Sequence, residues 1–178
     1  MTSSHIDNME HNSNTNTFNT LSTCWSLWAH LPQNPDWTEK GYEFVHKFKT
    51  VEDTIAITET LPELLVKNCM LFIMRESILP MWEDVKNRNG GCFSYKVSNK
   101  FICDVWRDLT YILIGNTLVV NKDILKHING ITVSPKKNFC IIKIWMATCD
   151  YQNPSIITSE IPLLSAQGCL FKKHSPEF

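Results

Sequence analysis

Phe139-Cys140-Ile141-Ile142-Lys143-Ile144-Trp145-Met146-Ala147-Thr148 carries the period-2 pattern of a β-strand. Alternation sets Phe139, Ile141, Lys143, Trp145 and Ala147 on one face and Cys140, Ile142, Ile144 and Met146 on the other. The second set is the natural core face. Lys143 and Trp145 then share the opposite face, where a ligand can reach them.

Further strands are read outward from this one. They are Gly130–Val133 before it, Phe93-Ser94-Tyr95-Lys96-Val97, Cys69–Arg75, Phe44–Phe48, and a first strand through Cys24-Trp25-Ser26-Leu27-Trp28-Ala29-His30. Cys69–Arg75 and Phe93–Val97, joined by a long loop, read as a hairpin-like pair. Thr50-Val51-Glu52-Asp53 is a helix start with Thr50 as N-cap, and that helix runs to about Thr60, before Pro62. Asp104 is expected to cap a second helix, with Trp106, Leu109 and Leu113 on one face and Gly115 at its end. A short helical piece follows around Asp123–Ile128. Strands dominate and no internal repeat is evident, which predicts an α+β fold, an antiparallel sheet with helices on one face.

With 178 residues, 43% of them apolar, the chain can bury one sizeable core. Residues 1–20, rich in Ser, Thr, Asn and His, are expected to be a disordered tail, leaving 21–178 as a single domain. A net charge of -1 excludes a protein that coats nucleic acid along its backbone, so any nucleotide binding is local. Seven cysteines without a Cys-x-x-Cys pair argue against a disulfide framework or a zinc site. No secretory leader or membrane-spanning run is evident, and a reduced, cytoplasmic compartment with a nuclear fraction fits the composition. No cofactor is implied.

Pro80-Met81-Trp82-Glu83-Asp84, running on through Lys86 and Asn87 to Gly90-Gly91, places an indole beside a carboxylate on a polar loop. An indole face stacks on a base for roughly 1–3 kcal/mol, and a carboxylate accepts two N–H donors from one edge of guanine. Trp37 lies on a second proline-bearing loop, and two loop indoles at one end of a sheet could close on both faces of a base. A base made cationic by N7 methylation adds a cation–π contribution of roughly 0.5–2 kcal/mol per indole. Glu83 would take the guanine N1–H and N2–H, a pairing adenine cannot offer. Lys136 and Lys137 are the expected phosphate ligands, with Lys143 and Lys172-Lys173 as further candidates. Trp25, Trp28 and Trp106, inside apolar periodic segments, are read as core.

These motifs, with Trp37 and Trp145 at their distances from Trp82, resemble the eukaryotic translation initiation factor 4E family. So do Trp25-x-x-Trp28 and Lys47-Phe48-x-Thr50-Val51-Glu52-Asp53. The resemblance spans roughly Leu21 to Thr148. It implies a cupped sheet with two to three helices on its convex back and a concave pocket for the 7-methylguanosine cap of mRNA. Within that resemblance Trp37 and Trp82 sandwich the base, Glu83 reads its edge, Trp145 meets the methyl group, and Lys136 meets phosphate. It also implies a non-enzymatic, monomeric translation initiation protein whose partners are capped mRNA and a scaffold factor or repressor peptide on the convex face.

The chain departs from the family at both surfaces. Expected phosphate-binding basic groups are replaced by Cys92, Asn138 and Ile141. The partner-docking tryptophan is Ile55, two partner-contacting leucines are Arg107 and Tyr111, and a His-Pro-Leu segment reads Asn19-Thr20-Leu21. Ile156–Leu164, with Pro154 and Pro162 nearby, is a poor match to a long third helix. An indole and two leucines are strong anchors for a helix laid in a groove, so their loss weakens or alters the partner. A cap-binding repressor or decoy, a Trp-rich interaction domain without a nucleotide site, and a Cys/His enzyme are the competing readings.

Overall fold

The alternation along Phe139–Met146 is realised as strand β6: Cys140, Ile142, Ile144 and Met146 are buried in the main core, and Trp145 faces the other way. The structure is a computed structural model that describes residues 18–177. Its remaining strands are β1 (Thr20–His30), β2 (Glu43–Thr50), β3 (Met70–Arg75), β4 (Gly91–Ser98), β5 (Ile128–Pro135) and β7 (Leu170–Lys173). They form one sheet in the order β2-β1-β3-β5-β6-β4-β7, and every pairing is antiparallel. The expected tail lies largely outside the described residues, but Thr20 already opens β1 and Asn19 is tied to Glu52 by two hydrogen bonds.

Helices α1 (Val51–Thr60), α2 (Glu63–Asn68) and α3 (Ile102–Ile114) cover one face of the sheet. Thr50 caps α1 as expected, its hydroxyl accepting the Asp53 N–H at 3.1 Å. Asp104 does not cap α3. That helix starts three residues earlier than expected, at Ile102 with Phe101 at the cap, and Asp104 sits in its first turn, where a carboxylate suits the helix dipole and pairs with Arg107 at 3.2 Å. Gly115 ends α3 as read, but the left-handed residue after it is Asn116, with φ 59°. The piece near Asp123 is a 3-10 turn, Lys122–His127; Ile156–Leu164 forms no long helix, as expected, and is bracketed by 3-10 turns at Pro154–Ile156 and Ala166–Gly168.

The core lies between helices and sheet. Trp25, Phe48, Leu71, Ile73, Phe93, Trp106 and Leu109 are among its buried members. Trp25 and Trp106 are therefore core, as read, whereas Trp28 is half-buried on the other face of the sheet, with Phe44 edge-on at 5.3 Å.

The expected β3–β4 hairpin does not form. The β5–β6 hairpin is inserted between the two strands, so the segment from Glu76 to Gly90 is a crossover and not a turn. β5 and β6 are joined by Lys136-Lys137-Asn138, tight enough for the Lys136 N–H to reach the Phe139 carbonyl at 2.8 Å.

Candidate functional site

The face away from the helices carries a second, smaller cluster built on Phe72, Met74, Ile78 and Trp145. β1 and β3 run antiparallel, with His30 opposite Met70 and Trp25 opposite Arg75, so the Trp37 and Trp82 loops leave the sheet at opposite ends. They do not share an end, as the sequence reading supposed. Ser77, at φ 65°, reverses the chain after β3, and Ile78 then packs against the sheet face. The Pro80–Glu83 segment is thereby laid back over the sheet.

What holds it there is a buried amide. Asn87 is wholly buried, and its Nδ2 donates to the Leu79 and Met81 carbonyls, both at 2.9 Å. Its Oδ1 accepts from Asn129 Nδ2 at 2.9 Å, which ties the loop to β5. Asp84 accepts the Leu79 and Lys86 N–H groups at 2.8 and 2.7 Å. Asp84 and Asn87 therefore close the loop on itself, and Trp82 packs against the cluster on the sheet face with Glu83 beside it.

A cavity of about 410 Å³ opens between this loop, the Trp37 loop and the sheet. Trp37, Trp82, Glu83, Trp145, Lys136 and Lys143 all line it. Lys137 is exposed on the β5–β6 turn and is not part of that lining. Each loop indole has an imidazole against one face: His30 lies on Trp37 with centroids 4.0 Å apart and planes at 7°, and His174 lies on Trp82 at 5.7 Å and 15°. Trp37 remains 53% exposed, so a flat aromatic surface is offered to the cavity at little cost in ordering. Trp145 is held in the floor by its Nε1–H donating to Thr132 Oγ1 at 2.7 Å.

Electrostatics reinforce the geometry. Burial first, and then the Glu83 charge, push the Tyr42 hydroxyl up to about 12, so this lining phenol stays neutral. His174 donates from Nδ1 to the Asn87 carbonyl at 2.7 Å, and burial is the largest effect lowering its pKa, which keeps it neutral at pH 7 behind Trp82. Lys143 Nζ stands 5.9 Å from the Trp82 ring centroid. The Glu83 Oε1 accepts the Glu177 N–H at 3.2 Å, and both residues line the cavity, so a ligand edge that pairs with this carboxylate competes with or displaces that N–H.

Sequence reading missed His30, Tyr42, Thr132, His174 and Glu177. Thr132 was findable in principle, because a tryptophan on a ligand-facing strand needs an acceptor on the adjacent strand. The histidines had no local signal.

The profile of the family described as eukaryotic initiation factor 4E matches residues 20–174. The chain belongs to the eukaryotic initiation factor 4E family. A eukaryotic translation initiation factor 4E homolog of Acanthamoeba polyphaga mimivirus is 45% identical over 123 residues, 61% of this chain and 45% of the homolog. Eukaryotic translation initiation factor 4E-2 of Schizosaccharomyces pombe is 29% identical over 71% of this chain and 53% of its own length. The chain thus spans about half the length of the curated relatives it matches. Among solved structures, Ascaris suum eIF4E-3 in complex with the m7G cap superposes with a TM-score of 0.71 at 20% identity, covering 89% of this chain and 93% of that one. C. elegans eIF4E-3 with the 4E-binding protein Mextli and a cap analog gives 0.67 at 24% identity, over 75% and 76% of the two chains. At these identities the superpositions establish the cupped α+β fold of initiation factor 4E.

Proposed function

We propose that this chain is a cap-binding protein, in which Trp37 and Trp82 stack on the two faces of N7-methylguanine and Glu83 accepts its N1–H and N2–H. The observation that carries the reading is the convergence of two indoles, from loops leaving opposite ends of the sheet, with one carboxylate on one cavity. In this reading Trp145, anchored by Thr132 in the cavity lining, meets the methyl group, and Lys136, in the same lining, meets phosphate. Nothing in this role requires bond making or breaking, so it is a binding function in translation initiation and not an enzymatic one. Among the described residues no helix is long and apolar enough to cross a membrane.

Two stacking faces and a charged two-point contact amount to roughly 5–10 kcal/mol before ordering costs, equivalent to dissociation constants from about 0.2 mM to about 50 nM, with any phosphate contacts adding to this. Titration with 7-methyl-GTP is expected to quench tryptophan fluorescence at far lower concentration than GTP does. Equal binding of the two nucleotides would overturn the reading.

A second reading, a cap-binding repressor or decoy, rests on the helical face of the fold. Ile55 is 47% exposed on α1, and the Arg107 guanidinium is held by Asp104 and Asp108 at 3.2 and 3.3 Å. The Tyr111 hydroxyl donates to Glu59 Oε1 at 2.5 Å, bridging α3 to α1. Leucines would leave that strip apolar, whereas here it is a ring of polar pairs that an apolar peptide anchor would have to break. A peptide of the Tyr-x-x-x-x-Leu type is expected to bind at least tenfold more weakly than to a relative with the apolar strip, an energy difference of about 1.4 kcal/mol. Calorimetry that finds tight binding of that peptide would restore the activator reading.

A further inference from the structure

Cys92 is only 3% exposed and cannot present a charge to a ligand, Asn138 is neutral, and Ile141 is apolar, so three places where phosphate contacts were expected lack them. The strand register shows what stands beside the gap. Cys92 on β4 is opposite Trp145 on β6 and Lys172 on β7, and Ser94 is opposite Lys143 and Leu170. Residues directly opposed in antiparallel pairs project to the same side, and so do residues two apart on one strand. Trp145, Cys92, Lys172, Ser94 and Lys143 therefore share the face that bears the cavity.

The two ammonium groups also converge. Burial raises the Cys92 thiol pKa, and Lys143 and then Lys172 each act against that rise, so both charges bear on one small buried side chain from opposite neighbouring strands. Ser94 Oγ lies 3.8 Å from the Cys92 sulfur, adding a hydroxyl at the same place. Among the described residues neither lysine is in an ion pair, in contrast to Lys47, Lys67 and Arg107. Lys143 lines the cavity beside Trp82, so this charge lies at the margin of the base site and not on a remote surface.

We propose that Lys143 and Lys172, meeting over Cys92 from the two strands that flank β4, hold the distal phosphates of the bound nucleotide. The small thiol leaves room for the phosphate chain to lie low against β4, and Ser94 donates its hydroxyl to it. Lys136 meets the chain from the opposite rim. The inference rests on the cap reading for the ligand's base but concerns a separate part of the ligand.

The test is the affinity gained per phosphate. Calorimetric titration of 7-methylguanosine, its mono-, di- and triphosphate should give steadily tighter binding to the unaltered protein. In Lys172→Ala the gain from monophosphate to triphosphate should fall about five- to tenfold, more in the Lys143→Ala/Lys172→Ala pair, with Lys172→Arg keeping most of it. Lys173, also a candidate from the sequence, is opposite Gly91 and so alternates to the face away from the cavity, which removes it as a phosphate ligand and makes Lys173→Ala the control for general surface charge. An undiminished gain in Lys172→Ala and in the double variant, or an equal loss in Lys173→Ala, would overturn the assignment. The same series with unmethylated guanine nucleotides reads the lysine contribution whichever base is preferred, so a failure of methyl recognition and a failure of the phosphate assignment give different results.

Discussion

Trp82→Ala is expected to weaken 7-methyl-GTP binding by about tenfold to a few hundredfold, and Glu83→Gln by about ten- to a hundredfold, with different signatures. Removing the indole takes away one stacking face and its cation–π share, so affinity for the methylated base falls more than for GTP and the ratio of the two shrinks. Removing the Glu83 charge leaves the stack in place. The glutamine keeps one acceptor but turns an –NH2 toward a guanine edge that itself offers only donors there, so discrimination against adenine nucleotides falls instead. Trp82 is half-buried with its ring on His174, so truncation should leave the fold intact, and a thermal melt of each variant checks this. Calorimetry is the proper measurement, since Trp82 is itself one of the fluorescent reporters. An unchanged methyl ratio in Trp82→Ala would remove that residue from the site.

What the sequence disclosed follows from which forces are local. The alternation of Cys140, Ile142, Ile144 and Met146 depends only on strand geometry, and the core face read from it holds. The Thr50 cap is a contact between residues three apart, and it too forms as read. The β3–β4 pairing failed because nothing within either strand encodes that another hairpin will lie between them; register is settled by burial across the whole sheet. The short α2 leaves no room for helical periodicity to declare itself. The candidate site divides along the same line. Trp37, Trp82, Glu83, Trp145 and Lys136 were legible because loop position and strand alternation marked them, and all five line one cavity. Lys172 was legible only as one of several candidate lysines, and His174 not at all, because their positions come from where the four-residue strand β7 pairs, and such a strand has almost no signal of its own.

Gly90→Ala should be among the most damaging single substitutions in the protein, for a reason unrelated to backbone freedom. A Cβ on Gly90 would lie 1.8 Å from the Met146 carbonyl oxygen and 3.0 Å from the Ala147 carbonyl carbon, both main-chain atoms in or beside the central β6 that no rotamer change can move aside. Either β4 shifts away from β6 or the end of the Trp82 loop is displaced. The Gly90 N–H donates to the Asn87 carbonyl at 2.9 Å, and the Gly90 carbonyl accepts the His174 N–H at 3.0 Å. The buried amide that closes the Trp82 loop and the imidazole that backs its indole thus both hang on this one residue. Overpacking against backbone is expected to cost about 3 kcal/mol or more, lowering the melting temperature by roughly 6–12 °C for a domain of this size. Nucleotide affinity should fall with it, because Trp82 loses both its loop clamp and its support. Gly168→Ala is the matched control: nothing lies within 4 Å of a Cβ there, and its melting temperature should not move measurably. A Gly90→Ala protein that melts with the unaltered one would mean that β4 and β6 do not approach this closely where the Trp82 loop rejoins the sheet.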